Sequence, residues 1–290
     1  MVAARSAAAG PAPEAREDWP ALPRRPVRRR AARALSIGTE ISPRLRWALR
    51  AAGLLVPFLV WWALSASGAV DPKFLPSPGA VWSAGLEMLR SGELLHDTAA
   101  SVRRVLLGFG LAVAISVPLG IAMGAFRAAQ ALFEPGIGML RYMPASAFIP
   151  LLLIWLGLGE PPKVTLLVIG VVFFNTLMTA DVVRQVPAEL IDVSYTLGAT
   201  RSEVLRKVIV PHALPGMIDA MRVNAAAAWN FVVVAELIAA TSGLGHRIQF
   251  AQRFFQTEKI FAVLVVIGLI GLALDVTLRL LRERVGRWAG

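Results

Sequence analysis

The chain contains no cysteine among its 290 residues, which excludes a disulfide framework, a thiolate metal site and a cysteine nucleophile. Histidine is scarce as well: His96, His212 and His246 are scattered, which argues against an imidazole-built metal centre. Lysine occurs only as Lys73, Lys163, Lys207 and Lys259, preceded by Pro, Pro, Arg and Glu. No Gly-Lys-Ser/Thr phosphate loop can therefore exist, and the chain cannot hydrolyse ATP by that route. His-Glu-x-x-His and Gly-x-Ser-x-Gly are missing too, as is any pair of carboxylates set at helical spacing for acid–base work. These absences disfavour an enzyme.

Charge is also short. Only 17% of residues are charged and 56% are apolar, with a mean hydropathy of +0.62, against about 25% and roughly 45–50% in soluble domains. This is not the composition of a water-soluble globule. The remaining charge is one-sided, with 30 Lys and Arg against 19 Asp and Glu, a net +11. Nucleic acid, an anionic membrane surface or asymmetric membrane topology would each account for it, and position decides among them.

A hydrocarbon core about 30 Å thick needs roughly 20 apolar residues in helix. Charge-free intervals of 20, 22, 18 and 17 residues lie at 51–70, 105–126, 142–159 and 164–180. A fifth, 260–274, holds 15 and extends past Asp275. A sixth, 223–245, is apolar except for Glu236, and a lone acid is tolerated in a span when it faces protein or water. The expectation is six transmembrane helices. With the N-terminus inside, residues 1–50, 125–141, 181–222 and 275–290 hold 11, 2, 5 and 4 basic residues, 22 of the 30. The basic excess is therefore read as positive-inside topology with both termini cytoplasmic, and no nucleic-acid partner is expected.

Residues 1–45, rich in Ala, Pro and Arg, read as a disordered basic cytoplasmic arm, with the transmembrane domain over 46–290. The first apolar stretch lies too far along to be a cleaved signal peptide. Between the first two spans, residues 71–98 carry three prolines and then an amphipathic pattern, which predicts a short surface helix. Gly120-x-x-x-Gly124 and the Gly268, Gly271 pair would allow close helix approach.

Residues 185–215 are the most informative loop. Pro187 suits the start of a helix over 188–197, and Gly198 suits the left-handed cap that ends one. Thr200-Arg201-Ser202-Glu203 has capping-box spacing and predicts a second helix. That helix places Val204, Leu205, Val208 and Ile209 on one stripe and Arg201, Arg206 and Lys207 on the other, and Pro211 and Pro215 are expected to stop it. The result is a capped helix–Gly–helix elbow, equally readable from spacing alone as an amphipathic loop on its own bundle.

The residues of the elbow carry a resemblance. Asp192-Val193-Ser194-x-x-x-Gly198, followed after nine residues by Val208-Ile209-Val210-Pro211, resembles the Glu-Ala-Ala-x-x-x-Gly-x(9)-Ile-x-Leu-Pro signature of permease subunits in binding-protein-dependent ABC importers. The spacing agrees throughout, while Asp-Val-Ser replaces Glu-Ala-Ala and valines stand at 208 and 210. Arg141-Tyr142-Met143-Pro144, Trp155-x-Gly157-x-Gly159-Glu160, Val234-Ala235-Glu236-Leu237 and Ser242-Gly243-Leu244-Gly245 are similar to the nitrate, aliphatic sulfonate, taurine and bicarbonate group. The resemblance covers roughly 101–281.

It implies an all-α membrane protein of the type I ABC importer permease kind in a bacterial inner membrane. It further implies a homodimer, two copies of a separate ATPase that carries ATP and Mg, a periplasmic solute-binding protein and a small anionic solute. By resemblance, Asp192, Gly198, Ala199 and Thr200 belong to the ATPase-coupling region, with Glu189 and Glu203 at its edges. Asn224, Trp229, Asn230 and Glu236 fall on the span that borders the translocation path, where they read as polar lining or as hydrogen bonds between helices. Arg141 reads as an anion attractor or as a topology charge. His246 and Arg247 read as a binding-protein contact or an interfacial anchor. The alternative from another class is an ion-gradient-driven secondary carrier.

Overall fold

The structure is a computed structural model whose described residues are 41–286. The arm read over 1–45 lies almost wholly outside them. A division between two units falls between Val56 and Pro57. All described secondary structure is helical, in the order α1 (Pro43–Ala66), α2 (Pro78–Arg90), α3 (Glu93–Ala125), α4 (Arg127–Leu140), a 3-10 turn (Ala145–Phe148), α5 (Ile149–Leu156), α6 (Pro161–Arg184), α7 (Ala188–Thr196), α8 (Arg201–Glu203), a π turn (Val204–Ile209), α9 (Val210–Ala239), α10 (Leu244–Arg253) and α11 (Thr257–Val285). Five described stretches are long and apolar enough to cross a bilayer, and the bent pair of α4 with the segment Ala145–Leu156 supplies a sixth.

α3 and α6 run parallel in fixed register. Ser116 accepts from the Asn175 side chain, 59 residues on, at 2.6 Å. The same offset pairs Gly120 with Thr179 and Gly124 with Val183, where an added Cβ would lie 2.6 Å from the threonine Cβ and 2.5 Å from the valine Cβ. Between membrane helices there is no hydrophobic drive to associate, so contact depends on small residues that let backbones approach. Gly120-x-x-x-Gly124 is such a seam, whereas a Cβ at Gly268 or Gly271 meets nothing in this chain. α9 runs antiparallel to α6: Gly216 lies against Val182, Asn224 against Asn175 and Phe231 against Gly170. Leu167, Val171, Ala228, Val232 and Val263 form the largest buried apolar cluster, joined by Val81 and Met88 of the predicted surface helix, α2.

Two expectations are corrected. The third span does not run over 142–159. α4 already occupies 127–140, the chain breaks at Arg141–Pro144, and the following helical segment leaves at 81°. Glu134 and Arg141 are thus inside this span, because charge-free intervals locate a span only when every charge sits at its ends. Nor do Pro211 and Pro215 stop the elbow's second helix. The chain passes from α8 through the π turn, where the Val210 amide donates to the Leu205 carbonyl, and straight into α9. Pro211 follows directly on the π turn, whose shifted register precedes it, and Pro215 is carried inside the helix.

Candidate coupling elbow and buried ion cluster

α7 begins after Pro187 and ends in a double hydrogen bond typical of a glycine cap. The Gly198 amide donates to the Tyr195 carbonyl at 2.9 Å, and the Ala199 amide to the Ser194 carbonyl at 3.0 Å. Gly198 takes φ +85°, a left-handed conformation that disfavours any side chain. Two residues later Thr200 caps the next helix. Its amide donates to Glu203 Oε2 at 3.0 Å, its Oγ1 accepts from the Glu203 amide, and Lys207 Nζ reaches Glu203 Oε1 at 2.9 Å. Both expected caps are present.

Beneath the elbow, Val204 and Ile209 are buried with Val183, Val186, Ala213 and Met217, and Ala199 packs on the same cluster. The elbow is therefore anchored to the ends of α6 and α9. Its outer face is open: Glu189 and Asp192 are exposed, α7 buries no residue, and Leu190, Val193, Tyr195 and Leu197 present a wide apolar surface. The arrangement is a capped elbow, anchored beneath and partly apolar on its open face.

At the opposite end of α6 a second constellation appears, which charge counting missed. Arg104, from α3, makes a two-pronged pair with Glu160, Nε to Oε2 and Nη2 to Oε1 both at 2.7 Å, and its Nη1 donates to Glu236 Oε1 at 2.6 Å. It also donates to the Ser242 carbonyl at 2.7 Å. Glu236, wholly buried, further accepts from Ser101 Oγ at 2.8 Å and the Gly245 amide at 2.9 Å. Lys163 adds a bond to Glu160 at 3.1 Å. Next to this, Arg247 bridges Asp97 and Glu93 at 2.7 and 2.8 Å, and the Gly243 amide donates to Asp97. Arg247 is thus committed within the chain. The Arg104 guanidinium, seconded by Lys163, holds the Glu160 carboxyl down at about 2.

The cluster ties α3, α6, α9 and α10 together at one level. Its sequence signal was present in part: Glu160, Glu236 and Ser242 sit in the quoted motifs, and Arg104 was the missing member. An arginine beside a span reads as a boundary, yet here its charge is neutralised within the protein.

The residues read as bordering the path are not gathered into one site. Asn224 is buried, donating to Asn175 Oδ1 at 3.2 Å and to the Ala220 carbonyl at 2.9 Å. Trp229 is buried with its indole N–H unpartnered, and Asn230 is exposed. Glu236 lies twelve residues, about 18 Å, along α9 from Asn224. Arg141 is exposed, its guanidinium 4.9 Å from the Tyr142 ring centre and donating to the Tyr142 hydroxyl at 3.0 Å. His246 Nδ1 is buried without a partner.

Residues 116–287 match the family model described as binding-protein-dependent transport system inner membrane component. A probable ABC transporter permease protein of Brucella melitensis biotype 1 is 39% identical over 228 residues, 79% of this chain and 92% of that one. The taurine transport system permease protein of Escherichia coli is 34% identical over 262 residues, 86% of this chain and 95% of that one. Among solved structures, an inward-facing conformation of the MetNI methionine ABC transporter superposes with a TM-score of 0.60 at 20% identity, covering 68% of this chain and 97% of that one.

Proposed function

Since the chain belongs to the family of binding-protein-dependent transport system inner membrane components, we propose that its elbow is the surface through which a separate ATPase drives it. The chain is a multi-pass, non-catalytic permease subunit of an ATP-driven importer, and a gradient-driven carrier is not favoured. An ATPase and a solute-binding protein come with that family.

The observation that carries the coupling assignment is the double cap around Gly198 above a buried base. A segment whose free amides and carbonyls are satisfied, and whose underside is packed, transmits a displacement that an uncapped loop would absorb. Asp192, Gly198, Ala199 and Thr200 form the contact, with Glu189 and Glu203 at its margins. ATP and magnesium belong to the ATPase, which docks in two copies on a dimer of this chain in a bacterial inner membrane, termini cytoplasmic. Closure of the ATPase pair moves the elbows together and exchanges an inward-facing for an outward-facing state. A ligand shifts such a balance only through its differential affinity for the two states, so solute selection rests mainly with the binding protein. The solute class is a small anion of the sulfonate kind, supported by the taurine transport relative.

Purification of the tagged chain from its native membrane, with identification and stoichiometry of its companions, tests this reading. Equimolar recovery of an ATPase is expected. Recovery of the chain alone, still moving solute in liposomes without ATP, would overturn it.

A further inference from the structure

The break in the third span lies at membrane depth. Ile137 of α4 packs with Leu177 and Ala180 of α6, whereas Ala145 and Ile149 pack with Leu166. Arg141 to Pro144 therefore pass the middle of α6, beside Ile169 and Phe173, which stand eight and twelve residues, about 12 and 18 Å, from its first residue. A hollow of about 260 Å³ opens there, lined by Arg141, Tyr142, Ser146, Phe173, Phe174 and Phe231 among others.

Open backbone and an unmatched charge set this face against water or protein rather than lipid. The carbonyls of Arg141, Tyr142 and Met143 accept no backbone amide among the described residues, and open backbone is tolerated at this depth only against protein or water. Tyr142 is 76% exposed, and Pro144 and Ser146 are also open. Arg141 itself carries a full charge into the span. Within the neighbouring ion clusters, Arg104 and Lys163 are matched by Glu160 and Glu236, and Arg222 by Asp219 and Asp275. Arg141 has no carboxylate partner among the described residues. The nearest acid on its own helix, Glu134, is seven residues and about 10 Å back toward the elbow. The Tyr142 ring and hydroxyl hold the guanidinium in place without neutralising it. An unmatched base inside a span marks a pathway or ligand site.

We propose that Arg141, steadied by Tyr142 and flanked by Ser146, is a water-filled anion station on the translocation path that takes the sulfonate or comparable anionic group of the solute as it crosses. This rests on the importer reading and adds a transient site to it. The guanidinium offers two parallel donors to two oxygens of such a group, and the phenylalanines face its carbon chain. The site is weak by design, since a tight one would retain the solute.

The cysteine-free chain makes the test direct. Ser146→Cys is placed in the full chain, co-expressed with its ATPase in membranes. Its reaction rates with an anionic methanethiosulfonate (2-sulfonatoethyl) and a cationic one (2-trimethylammonioethyl) are measured, each relative to a free thiol in solution. The expected result is modification at position 146, a preference for the sulfonate reagent on the order of tenfold, and its loss in Arg141→Gln with return in Arg141→Lys. Leu269→Cys, also open but on an apolar face of α11, should resist both reagents. An unreactive thiol in the Ser146→Cys variant, or a preference that Arg141→Gln does not move, would overturn the proposal, the latter placing a second copy's carboxylate or an anionic lipid on Arg141. Co-purification of the ATPase from the same membranes separates the failures: its absence from the parent sinks the importer reading, its presence with an unmoved preference sinks only the anion station.

Discussion

Replacing Arg104 by Met should damage the protein more than replacing both Arg104 and Glu236. Arg104 spends its donors on Glu160, Glu236 and Ser242, and only 3% of its side chain is exposed. In the single variant Glu160 keeps Lys163, but the buried Glu236 loses its counter-charge and keeps only Ser101 and the Gly245 amide. Removing one partner of a buried pair costs about 3–5 kcal/mol, a fall in melting temperature on the order of 10 °C for a chain of this size. Glu236→Gln in the Arg104→Met background removes the unpaired carboxyl while keeping an acceptor for Ser101 and Gly245. The double variant should therefore regain about 1–3 kcal/mol and melt several degrees above the single one. Thermal unfolding of the complex in lipid nanodiscs, followed by tryptophan fluorescence, measures both. A double variant that melts at or below the single one would refute the idea that the pair is held by mutual neutralisation.

Gly198→Pro demands φ near −65° where the chain needs +85°, so ATPase association and uptake should vanish while membrane insertion persists; Gly198→Ala, at about 1–2 kcal/mol of left-handed strain, should lose less. Gly120→Leu should abolish recovery of folded protein, because its Cβ alone would lie 2.7 Å from the Thr176 carbonyl oxygen, whereas Gly268→Leu should be recovered normally. Glu160 titrates lower in the folded chain, at about 2, than its ordinary 4.5, so its stabilisation is complete above about pH 4.5 and is lost as pH falls toward 2. The melting difference between parent and Glu160→Gln should accordingly shrink across that window, and by a modest amount because the carboxylate is partly open to solvent.

What the sequence revealed and what it hid follow from one assumption. Apolar length located α1, α3, α6, α9 and α11, since a bilayer imposes it, and the elbow was legible because Gly198 and Thr200 act through local backbone chemistry. The broken third span and the Arg104 cluster were hidden because both place charge within a span, where neutralisation or water has to come from residues distant in sequence: Glu236 is 132 positions from Arg104. The π turn was equally illegible, since two prolines read as a stop unless the hydrogen-bond register shifts before them.

The central claim is that the elbow meets the ATPase. Leu197, on the elbow, and Leu158, beyond the other end of α6, are 82% and 85% exposed, so each accepts a cysteine carrying a photo-crosslinker equally well. Illumination in native membranes should give an adduct with the ATPase from position 197 and none from position 158. An adduct from 158, or none from 197 in a preparation where the ATPase co-purifies, would contradict the account.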